Sequence, residues 1–167
     1  MKAFKYRCYP TDDQKLLLER TFGCCRFVWN QCLAKAKTDY EYWLANPETE
    51  RPSVNGYYFV KQIPLLKLSN PFLNEVSAVA LQQTLLNLGK AFQNLFRGKG
   101  YPKFKSKHHG QKSFTLNGFA LHLNDKILHL PKSKEPLGGS VLLGHSILDT
   151  LVLAPAAPGS AQSTTGH

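Results

Sequence analysis

The chain has 167 residues, room for one ordinary domain or a domain with a tail. Hydrophobic residues make up 43%, enough for a packed core, which excludes wholesale disorder. Lys and Arg outnumber Asp and Glu 21 to 11, for a formal charge of +10. That surplus favours a polyanionic partner, nucleic acid or an anionic membrane surface; a solvated basic surface with no partner is the alternative. Residues 138–167 contain no Lys or Arg and one acid, Asp149, so the basic character belongs wholly to residues 1–137. The start, Met1-Lys2-Ala3-Phe4-Lys5-Tyr6-Arg7, places charges where a signal peptide needs an apolar segment. No run of about 18 uninterrupted apolar residues is present. A cytosolic protein without a membrane partner is expected.

Residues 2–9 interleave aromatics with Lys2, Lys5 and Arg7 and suggest a strand, ended by Pro10. Thr11-Asp12-Asp13-Gln14 then fits a capping box, with Asp12 and Asp13 suited to the positive end of the helix dipole, so these acids read as caps and not as catalytic carboxylates. Leu18, Phe22, Cys25, Trp29, Cys32, Ala36, Tyr40 and Trp43 follow at steps of three or four, which is one helix face. Gly23 marks either a turn between two helices, giving a helix-turn-helix-like start, or a glycine tolerated within one helix. Asn46-Pro47 ends this section, and residues 46–56 read as a loop.

Tyr57 to Leu68 is a short helical candidate that Pro64 weakens, and Asn70-Pro71 breaks the chain again. The clearest element is 77–97: Ser77 is the candidate N-cap, Leu81, Leu85, Leu88, Phe92 and Leu95 form the apolar stripe, and Gly98 follows as the stop. The other faces carry Gln82, Gln83, Asn87, Lys90, Gln93, Asn94 and Arg97. Ser113 to Asn117 alternates, and Leu121 to Leu130 reads as a hairpin about Asn124-Asp125. After Leu137 the chain turns to uncharged Gly, Ala, Ser, Thr and Leu and reads as a low-complexity tail.

The four cysteines, Cys8, Cys24, Cys25 and Cys32, have no C-x-x-C spacing and read as buried thiols acting as small apolar residues. His108, His109, His122 and His129 lack a carboxylate or thiol at ligand spacing, so no metal or other cofactor is expected. No nucleophile elbow, P-loop or dinucleotide fingerprint occurs, nor the paired carboxylates of two-metal phosphodiester cleavage.

The stretch from Arg97 to Lys112 is the most suggestive. It holds six Lys or Arg and no acid, with Tyr101 and Phe104 among them and Gly98, Gly100 and Pro102 setting its backbone. Cations neutralise phosphates and release counterions, while aromatics stack on unpaired bases. A solvated basic loop is the alternative.

Three blocks carry a family resemblance. Phe4-Lys-Tyr-Arg-Cys-Tyr-Pro-Thr-Asp-Asp-Gln14 with Thr21-Phe-Gly-Cys-Cys-Arg-Phe-Val-Trp-Asn30 resembles the opening of OrfB/TnpB-type insertion-sequence transposases. Ser77-Ala-Val-Ala-Leu-Gln-Gln-Thr-Leu85 and Ala91-Phe-Gln-Asn-Leu-Phe-Arg-Gly-Lys-Gly-Tyr-Pro-Lys-Phe-Lys105 are similar to its "L-Q-Q-x-L" and "A-F-x-x-F-F-x-G…G-x-P-x-F-K" phrases. Ser113-Phe-Thr-Leu116 and Ile127-Leu-His-Leu-Pro-Lys132 form a third block. The resemblance covers roughly residues 1–135. It implies an α+β fold in which a helical recognition bundle is inserted into a wedge-type β-barrel. It also implies membership of a family of RNA-guided DNA nucleases whose later RuvC-like domain and zinc ribbon do the cutting.

The expected arrangement is residues 1–10 as the first strand of a partial barrel, 11–97 as helical insertion, 98–112 as basic linker, 113–137 as remaining strands, and 138–167 as a disordered tail. The expected function is binding of guide RNA and/or duplex DNA by the N-terminal part of a transposase, without the catalytic domain and so without enzyme activity. Lys2, Lys5, Arg7, Arg26, Arg97, Lys99, Lys103, Lys105 and Lys107 are the candidate phosphate contacts, Gln82, Gln83, Asn87 and Lys90 the candidate base or backbone contacts, and Tyr101 and Phe104 stack or belong to the core. The alternatives are a marginally folded remnant of a decayed or frameshifted mobile element, and a small basic enzyme with an unrecognised site.

Overall fold

The computed structural model describes residues 7–8, 10–108, 112–117, 121–122, 127–128, 130–133, 137–140 and 150–153. Lys2, Lys5, the Asn124-Asp125 turn and most of residues 138–167 lie outside them.

After a short strand, β1 (Arg7–Cys8), helix α1 (Asp12–Ala45) starts where the capping box stands. The Thr11 hydroxyl accepts from the Gln14 N–H at 3.4 Å, and Gln14 Oε1 accepts from the Thr11 N–H at 3.0 Å. α1 then runs 34 residues without a break, about 51 Å at 1.5 Å per residue. The turn considered at Gly23 does not form there. An interior glycine costs about 1 kcal/mol relative to Ala. Buried Phe22, Cys25, Val28 and Trp29 lie on either side of it, and each large apolar side chain returns about 1.5–3 kcal/mol on burial. The stripe leaves the core after Ala36, since Tyr40 is 44% exposed.

The helical candidate at 57–68 is two helices, α2 (Gly56–Val60) and α3 (Ile63–Ser69). Asn55 starts α2 by accepting the Tyr58 N–H at 2.7 Å. Pro64 sits in the first turn of α3, where a missing N–H leaves no gap in the ladder. It therefore opens a helix and does not merely weaken one. A 3-10 turn at Pro71–Asn74 leads to helix α4 (Ala78–Phe96). Ser77 occupies the N-cap position of α4 but its side chain makes no capping bond.

The core joins α1 to the later helices through Val28, Leu33, Phe59, Leu73, Val76, Leu81, Leu85 and Leu88, none more than 1% exposed. Strand β2 (Phe114–Asn117) is laid against this helical layer. Its Phe114 ring packs on Phe22 with centroids 5.4 Å apart, and Leu116 is buried.

The remaining strands are β3 (Leu121–His122), β4 (Ile127–Leu128), β5 (Leu137–Ser140) and β6 (Thr150–Leu153). β3 and β4 pair antiparallel with Leu121 opposite Leu128, the hairpin expected from the sequence. The four-stranded sheet has the order β1-β5-β4-β3, with Arg7 opposite Ser140 and Ile127 opposite Gly138. Among the described residues β2 pairs with β6, Phe114 opposite Leu153. Among the described residues these pairings form two separate sheets and no closed barrel. Residues 138–140 and 150–153, expected in a structureless tail, thus contribute strands. Thr150-Leu-Val-Leu153 is rich in strand formers, and it supplies the backbone partner of a strand whose Phe114 and Leu116 are already held in the core.

Candidate nucleic-acid interface

The interface is built from the end of α4 and the chain that follows. α4 stops in a Schellman motif: the Gly98 N–H donates to Leu95 O and the Lys99 N–H to Asn94 O, both at 2.9 Å. Gly98 and Gly100 have φ of +80° and +89°, and a Cβ at either would meet nothing within 4 Å. The backbone conformation, not lack of space, calls for glycine at both.

From there the chain returns to α1 and is fastened to it. Tyr101 sets its ring edge-on to Phe92 at 5.8 Å, and Pro102 is buried. The Trp29 Nε1–H donates to the carbonyl of Lys103 at 3.0 Å. Asn30 Nδ2 donates to the Lys105 carbonyl at 2.9 Å, while Asn30 Oδ1 accepts from the Lys105 N–H at 2.8 Å. The Asn30 amide thus satisfies both backbone groups of one residue, as a neighbouring strand would. The Lys105 Nζ lies 4.2 Å from the centre of the Trp29 ring, a cation–π contact. Further on, Lys112 forms an ion pair with Glu19 at 2.6 Å. The segment read as a linker is therefore a strap laid across α1.

Burial of the Lys105 ammonium against the indole holds its pKa below the ordinary lysine value, with the neighbouring Cys25 thiol acting in the opposite sense. Burial raises the Tyr101 hydroxyl, and Glu41 adds to this. Arg97, Lys99, Lys103 and Lys107 are exposed and form no ion pair among the described residues.

The other candidates are more scattered. Arg26 is half-buried on α1, one turn before Asn30. On α4, Gln82 and Lys90 are exposed and Gln83 and Asn87 half-buried, with Gln83, Asn87 and Lys90 at helical spacing along one side. Arg7 belongs to β1 through its backbone. The structure gathers Lys99, Tyr101, Lys103, Phe104, Lys105 and Lys107 onto one strap and keeps the α4 group on a separate helix face. Tyr101 packs on Phe92 on one side and is 49% exposed, and Phe104 is 56% exposed.

In the sequence Trp29 stands in the apolar stripe and Trp29-Asn30 closes the first family block, and neither feature names the strap as their partner. The available signal was chemical: a Trp in an apolar stripe still carries an N–H that needs an acceptor when buried. Among the described residues no group of His, Cys, Asp and Glu is placed to hold a metal ion. No helix among them is long and apolar enough to cross a membrane.

A long capped helix carrying a basic strap, joined to short antiparallel strands, frames a surface suited to a polyanion. Residues 1–42 match a helix-turn-helix domain model of IS605-type OrfB proteins, and here those residues form β1 and most of the single helix α1. A Streptomyces pristinaespiralis protein bearing the name RNA-guided DNA endonuclease is 38% identical over 141 residues, 81% of this chain and 33% of its own length. InsQ of Escherichia coli K12, with the same designation, is 26% identical over 144 residues, 79% of this chain and 32% of InsQ. Virulence protein VsdF of Salmonella dublin is 32% identical over 122 residues, 65% of this chain and 95% of VsdF. The chain belongs to the OrfB/TnpB-type insertion-sequence family and corresponds to its N-terminal part. It spans about a third of the length of the two relatives with the endonuclease designation.

Proposed function

We propose that this chain binds nucleic acid through the strap after α4, and that binding, not cleavage, is the role of these residues. The observation that carries the reading is the fastening of residues 103–105 to Trp29 and Asn30, which holds a dense row of cations in a fixed backbone. Ordering those cations in advance lowers the cost of ordering them on a ligand. Lys99, Lys103, Lys105 and Lys107 meet phosphates, and Gln82, Gln83, Asn87 and Lys90 on α4 meet base edges or backbone. Arg26 and Arg97 extend the positive field at either side. The names of the two longer relatives put both RNA and DNA in reach, so guide RNA and duplex DNA are the ligands proposed. The strands read as part of a wedge-type barrel interrupted by helical residues 11–97; the pairing of β1 with β5 across that insertion supports this division.

The test is a titration of labelled RNA and of duplex DNA between roughly 50 and 200 mM salt, with Mg2+ present. Affinity should fall steeply with salt, and replacing Lys99, Lys103 and Lys107 by Ala should flatten the slope of log K against log salt by about 3. A flat salt response would sink the reading, and metal-dependent nicking of the DNA would overturn the assignment to binding alone.

A further inference from the structure

Deepening that nucleic-acid reading, and resting on it, we propose that Trp29 and Asn30 are positioning residues that fix the strap so that Phe104 stands out as a stacking platform for an unpaired base. Both neighbours of Phe104 are tied down: the Lys103 carbonyl by the Trp29 indole, and the Lys105 N–H and carbonyl by the Asn30 amide. The Lys105 side chain is laid over the indole at 4.2 Å, while the Phe104 ring is 56% exposed. The other aromatic of the strap, Tyr101, packs at right angles against Phe92 with ring centroids 5.8 Å apart and is 49% exposed. With the backbone tied on both sides, the Phe104 Cα cannot swing away from α1 without breaking those bonds. Beside it Lys103 is an exposed cation that suits the phosphate next to a stacked nucleotide. Every base has a π-face, so the seat is tolerant of sequence, and it selects single-stranded over duplex segments because paired bases offer no free face.

The experiment uses the full 167-residue chain and a short single-stranded oligonucleotide carrying one 2-aminopurine, with the matched duplex as control. Binding should quench the 2-aminopurine in the single strand. Phe104→Leu should abolish the quench and weaken single-strand binding about 10-fold, with no change in the salt slope, and Phe104→Trp should keep the quench. Asn30→Ala should diminish the quench, also at unchanged salt slope, and leave thermal melting close to the parent. Should Asn30→Ala fail to fold, Asn30→Asp, which keeps the acceptor for Lys105 N–H and loses the donor, decides with an intermediate quench expected. Full quench and parental affinity in Phe104→Leu, or in the folded Asn30 variant, overturns this inference while the nucleic-acid reading stands. If the parent binds neither strand form at low salt, that broader reading fails instead.

Discussion

At the scale of single residues, the buried thiols carry the clearest pH consequence. Burial pushes Cys25 and Cys32 from 9.0 up to about 11, and raises Cys24 with help from Glu75. A folded value above the unfolded one means that the folded chain keeps protons the unfolded chain has lost. Stability from these groups is therefore complete below pH 9.0 and lost as pH rises towards about 11. Lys105 runs the other way, since its depressed value makes stability rise with pH just below 10.5, but it is one group against three raised thiols and Tyr101. The urea midpoint should fall between pH 9 and 11, and replacing Cys25 and Cys32 together by Ala should remove most of the fall. With Cys8 replaced by Ser, the native chain should resist iodoacetamide near pH 8, where thiolate is scarce, and react on unfolding. The burial of these cysteines was legible because spacing reports the face of a helix. What Trp29 and Asn30 bond to was not, because their partners lie more than 70 positions away.

At the scale of elements, two glycines of similar appearance play different parts. A Cβ on Gly89 in α4 would lie 2.2 Å from the Gly56 nitrogen and 2.5 Å from its Cα, both backbone atoms at the start of α2. Gly89→Ala should force the two helices apart and cost about 1–3 kcal/mol or more, read from denaturant midpoints. Gly98→Ala meets open space and should cost only the left-handed backbone penalty, roughly 1–2 kcal/mol. An equal loss in both variants would show that helix contact is not what Gly89 serves. The Gly98 stop and the Thr11 capping box were legible because each is settled within a few residues. The close approach of α2 to α4 was not, since Gly89 meets Gly56 and Asn55, far away in the chain. Gly23 and Pro64 fall between: both are marked as breaks locally, and packing on one side and helix position on the other decide what each does.

At the scale of the whole molecule, residues 137–140 and 150–153 are part of the fold. β5 lies between β1 and β4, and β6 is the described partner of β2. A chain ending at residue 136 should melt several degrees below the full chain, and unchanged melting would show that these strands contribute nothing. Their low-complexity composition hid them, because a strand that completes a sheet needs only a compatible backbone and a few β-formers. The fastening of the strap carries one more consequence, for the order of events on the ribosome. Trp29 and Asn30 leave the exit tunnel long before Lys103 and Lys105, and the loop between them, 74 and 75 residues around, cannot close until the strap has followed. The nascent helix bundle therefore exists for a time without its cationic finger in place, and the chain gains its grip on a polyanion only once most of it has been synthesised.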